Sequence, residues 1–497
     1  MTTKRGEAGC EGAWSGARAS AGPRSGPQTS PLRSVTKPPA VYRKLAMYKR
    51  FLSILLSFLF LTGCAGQPLG PTSQGQTTAP PDHGPAIPEN NPASESISSD
   101  APLENIPDTG VPDTSVSNTH SPESGPPQAG PEANPSEPGA EPTEPSDPKA
   151  DTVEAILSAM TLEEKVGQLF FVRCPNRQAA EKVSAYHLGG YILFGRDFQD
   201  AAGNWLTRKQ FTEKLAAWQA AAKVPLLIGV DEEGGTVARA SRNPNLFESK
   251  RQSPQEVYSR GGLDAVRQDA LFYSRGLLEL GINVNLAPVA DVSTNRLDFI
   301  YDRSFGQDAA ATARYIEAAV SAAGQARYAP GDGSVRTIGS VLKHFPGYGD
   351  NADTHTGVAI DRRPYQRFAA EDFLPFLAGV RAGAGGVMVS HNVVVSMDPE
   401  LPASLSPEVH RILREELGFE GVVMTDDLAM DAVEAYAADG SVAVLAVLAG
   451  NDLIITTDFE TQIPLVIDAV RLGALREDLV EQAARRVLGW KYDLGLL

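Results

Sequence analysis

The chain has 497 residues, is 42% hydrophobic and 21% charged, and carries 61 acidic against 44 basic residues, for a formal charge of −17. That balance lacks the basic surface that displaces counterions from phosphate, and so excludes general nucleic-acid binding. Three cysteines (Cys10, Cys64, Cys174) cannot build a disulfide framework, and neither zinc-spaced Cys/His clusters nor a GxxxxGK(S/T) phosphate loop occurs.

The length allows two or three average domains, or one large barrel with unstructured sequence. The 37 prolines are distributed unevenly and mark two kinds of chain. Residues 1–46 are rich in Gly, Ser, Arg and Pro without apolar periodicity, and read as an upstream extension with Met47 as the start. Residues 47–63 read as a signal peptide: Lys49 and Arg50 form a basic head, and Phe51 to Leu61 an apolar run too short to span a bilayer comfortably. The run ends in Leu61-Thr62-Gly63-Cys64, which resembles a bacterial lipobox. That resemblance implies lipidation of Cys64 and an extracytoplasmic, membrane-anchored protein. Residues 64–150 are dominated by Pro, Gly, Ser, Thr and acids, cannot bury enough apolar surface to offset their ordering entropy, and read as a disordered tether.

From Asp151 to Leu497, short β-rich runs alternate with helical periodicity. Strands are predicted at 168–173, 190–194, 226–231, 282–287, 338–343, 386–390, 421–425 and 452–456. Helices are predicted between them, among them 206–223, 254–280, 309–326, 364–382 and 431–448. Eight such repeats in about 350 residues predict an α/β fold of the (β/α)8 TIM-barrel type. A doubly wound open sheet competes, but no GxGxxG turn follows the first strand.

Active sites of such barrels lie at the C-terminal strand ends. Those ends carry Asp231-Glu232-Glu233, Asp291, Lys343-His344, Ser390-His391 and Thr425-Asp426-Asp427. No GxSxG elbow is present, and Cys174 has no evident histidine partner. The acids and imidazoles lack a metal-like repeat, and Lys343 and Arg303 would repel a cation, so neither metal nor cofactor is expected. The remaining set suits a polyhydroxylated ligand cleaved by acid–base and nucleophilic steps.

VDEEGGTVAR (230–239), INVNLAPVADV (282–292), DRSFG (302–306), KHFPGYGDNADTHTG (343–357) and GVVMTDDLAM (421–430) follow one another in an ordered series. The series resembles glycoside hydrolase family 3, in particular its single-domain β-N-acetylglucosaminidase branch. The resemblance implies a retaining exo-hydrolase removing terminal β-linked N-acetylglucosamine, with a carbohydrate partner such as a peptidoglycan fragment or other cell-wall glycan. It implies Asp426 as nucleophile, His355 as acid and then base, and Asp353 as the group orienting His355. Asp231, Lys343, His344, Arg303 and Arg239 would hold the sugar or brace the loops around it. Gly234-Gly235 would give a tight turn beside the ligand, Asp291 is structural or ligand-binding, and His391 would support the site from behind. Asp427 suits a helix cap better than Asp426 does.

The loop departs from the family pattern in being one residue shorter, with Tyr348 for a common histidine and Thr354 for a common serine. The chain stops soon after the last barrel helix, so the second domain that supplies a glutamate acid/base in many β-glucosidases is not expected. A β-glucosidase, β-xylosidase or phosphorylase of the same family, and a sugar-binding lipoprotein without catalysis, are the competing readings.

Overall fold

The structure, a computed structural model, describes residues 147–349, 351, 357–434, 436 and 441–497. The regions assigned above to extension, signal peptide and most of the tether, with Cys64, lie outside these residues, as do Asp353 and His355. The tether's last residues are not part of it. Asp147 accepts a hydrogen bond from Lys149 N and caps a helix, Pro148–Ser158, that buries Val153 and Leu157. Among the described residues no helix is long and apolar enough to cross a membrane.

Seven parallel strands pair in the order β1 (Phe171–Arg173), β2 (Gly190–Leu193), β3 (Leu227–Val230), β4 (Val284–Asn285), β5 (Gly339–Phe345), β7 (Gly386–Val389) and β9 (Val422–Thr425). A small second pair joins β6 (Ile360–Asp361) to β8 (Val393–Val394). The predicted eighth strand, 452–456, is present as single bridges that close the barrel: Leu453 pairs Met424 of β9, and Ile454 pairs Phe170 beside β1. Strands of this kind are buried on both faces, which is why they read as near-continuous apolar runs.

The barrel interior is filled by Phe171, Ile192, Leu227, Val284, Val341, Met388, Met424 and Leu453. Large side chains fit because glycines face them. A Cβ at Gly229 would fall 2.3 Å from the Phe171 ring, and one at Gly339 2.4 Å from the Trp490 ring. Trp490 lies on the C-terminal helix Glu477–Asp493 and packs into the same cluster, against the strand-start residues Gly339, Gly385 and Gly386. The C-terminal strand ends are thus left for loops.

Helix boundaries differ from expectation where small residues interrupt a periodic run. The predicted 254–280 helix is Pro254–Glu279 with non-helical backbone at Gly261 and Gly262. The 364–382 segment passes through a π-turn at Phe368–Asp372, and the 431–448 segment gives two helices, Asp431–Glu434 and Val442–Ala449.

Candidate active site

Three consecutive acids leave β3 and do three different things. Asp231 lines the mouth of the barrel, and one of its oxygens lies 2.6 Å from Lys343 Nζ. Glu232 is buried and turns away: Oε2 accepts the backbone N–H groups of Arg239 and Ala240 at 2.9 and 2.7 Å, while Oε1 accepts Ser241 Oγ. It thereby fixes the loop that carries Arg239. Gly234 and Gly235 have positive φ, and a Cβ at Gly234 would lie 2.1 Å from the Gln252 carbonyl, so the tight turn packs on protein. Glu233 is buried between two cations, with Lys343 Nζ at 2.6 Å and Arg303 in a two-pronged pair at 2.8 and 3.0 Å.

Burial alone would push Glu233 up, but Arg303 and Lys343 outweigh it and hold the carboxyl far below the usual range. Burial likewise acts to lower Lys343, yet Asp231 and Glu233 hold its ammonium above the ordinary lysine value. The trio stays ionised across physiological pH and presents a fixed cation beside Asp231.

At the end of β5, pairing with β7 jumps from Leu342–Val387 to Phe345–Val389, so β5 carries one extra residue there. Strict alternation would send Lys343 and His344 to opposite faces, whereas here both line the mouth. The Lys343–His344 and Phe345–Pro346 peptide bonds are cis. His344 Nδ1 lies 2.7 Å from Asp291 Oδ2, and Nε2 lies 3.3 Å from Arg303 Nη2. A guanidinium can only donate, so Nε2 accepts and Nδ1 carries the hydrogen given to Asp291. Asp291, fully buried, also accepts the backbone N–H of His344 and of Tyr348, at 3.1 and 2.8 Å. It therefore braces His344 from outside the cavity lining. Tyr348 stands edge-on to the His344 ring with centroids 5.1 Å apart, packed beside Phe299.

Asp426 and Asp427 follow β9 and make different contacts; Asp427 sits in a turn, and the helix it was expected to cap starts only at Asp431. Asp427 Oδ1 accepts Ala429 N at 3.0 Å, and Oδ2 accepts Thr457 Oγ1 at 3.1 Å, tying its turn to the neighbouring strand end. Asp426 is anchored through its backbone to the Val389 carbonyl, accepts Asp427 N at 2.8 Å, and faces the mouth. His391 is buried behind them, its Nε2 donating to the Asp427 carbonyl at 3.1 Å and Nδ1 2.7 Å from Ser404 Oγ.

Asp231, Arg239, Arg303, Lys343, His344 and Asp426 thus line one cavity of about 490 Å³, floored by Leu286, Met388 and Ile455 from the barrel interior. Arg173 lines the cavity and Glu233 braces it from behind, and neither was assigned to the site by sequence reasoning. Arg173 ends β1 with its guanidinium 4.4 Å from the centre of the Phe194 ring, and Arg239 approaches the same ring at 6.0 Å. Arg173 carries the signal used elsewhere, a charge at a predicted strand end. Glu233 could have been found only through its pairs to Arg303 and Lys343, 70 and 110 residues away. Among the described residues no group of three or more His, Cys, Asp or Glu is placed to hold a metal ion. A second hollow of about 500 Å³ opens at the opposite barrel end, around Leu215, Leu278, Ile282 and Tyr328. Its charged groups are spent on one another, Arg336 with Asp332 and Glu279 with Arg208.

A parallel barrel that gathers acids, an imidazole and several cations around one cavity suits a hydrolase for polyhydroxylated ligands. The chain belongs to glycosyl hydrolase family 3: that family's N-terminal domain matches residues 161–489. A β-hexosaminidase of Xanthomonas campestris pv. campestris is 38% identical over 250 residues, 49% of this chain and 70% of the relative. A family 3 β-N-acetylglucosaminidase from Paenibacillus sp. superposes with a TM-score of 0.60 at 30% identity, over 68% of this chain and 63% of that one. A β-N-acetylhexosaminidase from Beutenbergia cavernae gives 0.58 at 30% identity, over 67% of this chain and 99% of the other.

Proposed function

We propose that this glycoside hydrolase is a β-N-acetylhexosaminidase, a retaining exo-enzyme that removes terminal non-reducing β-linked N-acetylglucosamine. The observation that carries the reading is the convergence of Asp426 with Asp231, Lys343, His344 and Arg303 on one blind cavity. A cavity floored by the barrel core accepts a chain end rather than a chain interior. The names of the relatives support the choice of sugar.

In the proposed reaction Asp231 and Lys343 hold sugar hydroxyls, with His344 and Arg303 lining the same pocket. The Asp426 carboxylate attacks the anomeric carbon while His355, oriented by Asp353, gives its proton to the departing glycosidic oxygen. A glycosyl ester of Asp426 results. His355, now neutral, takes a proton from water, whose oxygen displaces the ester and restores the original anomeric configuration.

Aryl β-N-acetylglucosaminide should be turned over with kcat/KM at least about 10²-fold above the matching β-glucoside, well within the about 10⁴-fold that a site hydrogen-bonding a substituent can reach. The glucoside being the better substrate would defeat the reading. Outside the barrel, we propose lipidation at Cys64 and action on peptidoglycan fragments or other cell-wall glycans beyond the membrane. Cys64→Ala should move the protein from the membrane to the soluble fraction, and continued membrane retention would count against the anchor.

A further inference from the structure

Residues 346–359 leave β5 and return at β6, and both described ends of this segment meet one side chain outside the cavity, Arg363. Its Nη2 donates to the Gly347 carbonyl at 3.0 Å, on the outgoing side. On the returning side, Nε and Nη2 reach Asp361 Oδ2 at 2.9 and 2.7 Å. Its Nη1 grips both oxygens of Asp372 at 3.0 and 2.9 Å, and its face lies 4.2 Å from the Phe368 ring centre. Asp361 and Asp372 are both buried.

The two ends are also joined directly, because Asn351 Nδ2 donates to Asp361 Oδ2 at 2.6 Å and to the Tyr348 carbonyl at 2.7 Å. Beyond that junction, β6 is pinned to β8 by Val393 N to the Ala359 carbonyl at 2.8 Å. The glycine spacing of PGYG follows from the same cluster. A Cβ at Gly347 would stand 2.5 Å from Asp372 Oδ1, and one at Gly349 2.6 Å from the Arg363 guanidinium carbon. Only bare backbone lets the segment lie this close to a guanidinium and its two carboxylates.

We propose that Arg363 is the positioning residue for proton transfer: by holding Gly347, Asp361 and Asp372 together, it fixes both ends of the segment carrying Asp353 and His355. The inference rests on the acid/base reading of those two residues. One guanidinium with five donors in a rigid fork can meet three acceptors in one plane, which a lysine cannot do. Asp353 and His355 each lie within two residues in sequence of a described end, Asn351 or Gly357. A misplacement of about 1 Å in a reacting group costs about 10²-fold.

The test compares Arg363→Gln, Gly349→Ala and His355→Ala on two substrates, an activated aryl β-N-acetylglucosaminide and an unactivated β-linked disaccharide. Arg363→Gln should lower kcat/KM about 10²-fold on the disaccharide and only a few-fold on the aryl glycoside, since a good leaving group needs no proton. Gly349→Ala, which leaves every ion-pairing residue in place, should show the same bias if Arg363→Gln does not fold. Equal losses on both substrates, or none on either, would overturn the positioning role. If His355→Ala shows the leaving-group bias and the other two do not, the acid/base reading stands and only this proposal falls. If His355→Ala shows no bias, the reading itself fails.

Discussion

Asp426→Ala is expected to lower kcat by about 10⁴-fold or more, the scale on which removal of a covalent nucleophile acts. The loss should be as deep for an activated aryl glycoside as for a disaccharide, because both must first esterify Asp426. Binding should survive. The groups assigned to the sugar pocket are held by Glu233, Arg303 and Asp291, none of which depends on Asp426. The backbone of Asp426 is fixed by the Val389 carbonyl whatever its side chain. The chemical signature separates this outcome from a general loss of fold. Wild-type enzyme should release β-N-acetylglucosamine first, seen by NMR before mutarotation. Asp426→Ala supplied with azide should instead form the α-glycosyl azide, since one displacement replaces two. Unchanged turnover in the variant would remove Asp426 from the mechanism.

The barrel was legible because its signal is strong and local. Strands such as Gly190–Leu193 and Gly386–Val389 are buried at every residue, so their apolar runs stood out. β4 was legible as a run but is only two residues long in the structure, and its neighbours show why. The side chains of Asn283 and Asn285 accept the backbone N–H groups of Ile228 and Glu232, at 2.8 and 3.0 Å, in place of further ladder bonds. Such substitution leaves no trace in hydrophobic periodicity.

The site was half legible. A charge after a strand end marks a mouth residue, and that rule placed Asp231, Lys343, His344 and Asp426, and applied to β1 it would have added Arg173. It could not tell which acid in Asp231-Glu232-Glu233 faces ligand, because the answer depends on cations 70 and 110 residues away. Nor could it settle Asp291, whose brace on His344 spans 53 residues. The extra residue in β5 is another long-range product: it exists only in the pairing with β7, at the point where two successive side chains reach the mouth.

Lys343→Met should be the most destabilising change in the site, costing about 3–5 kcal/mol of unfolding free energy, as removing one partner of a buried ion pair does. The methionine keeps most of the lysine's volume, so the cost is chiefly electrostatic. Lys343 is 1% exposed with its ammonium 2.6 Å from both Asp231 and Glu233, and without it the buried Glu233 keeps Arg303 alone. The pH dependence carries the sign of the effect. Glu233 has a depressed folded-state pKa, so its contribution is fully present above the ordinary glutamate range, near pH 4.5, and is lost as pH falls below it. Wild-type stability, measured by urea unfolding, should therefore fall as the solution is acidified from pH 6 to 3. In Lys343→Met the carboxyl loses its nearest cation and rises, so that fall should flatten. Adding Asp231→Asn to Lys343→Met should recover part of the stability at pH 7, because Asp231 is the acid left without its cation while Glu233 still keeps Arg303. It should not recover activity, since the ammonium is still gone. A double variant no more stable than Lys343→Met would mean that the lysine is held by packing, and that its pairing with Asp231 contributes little.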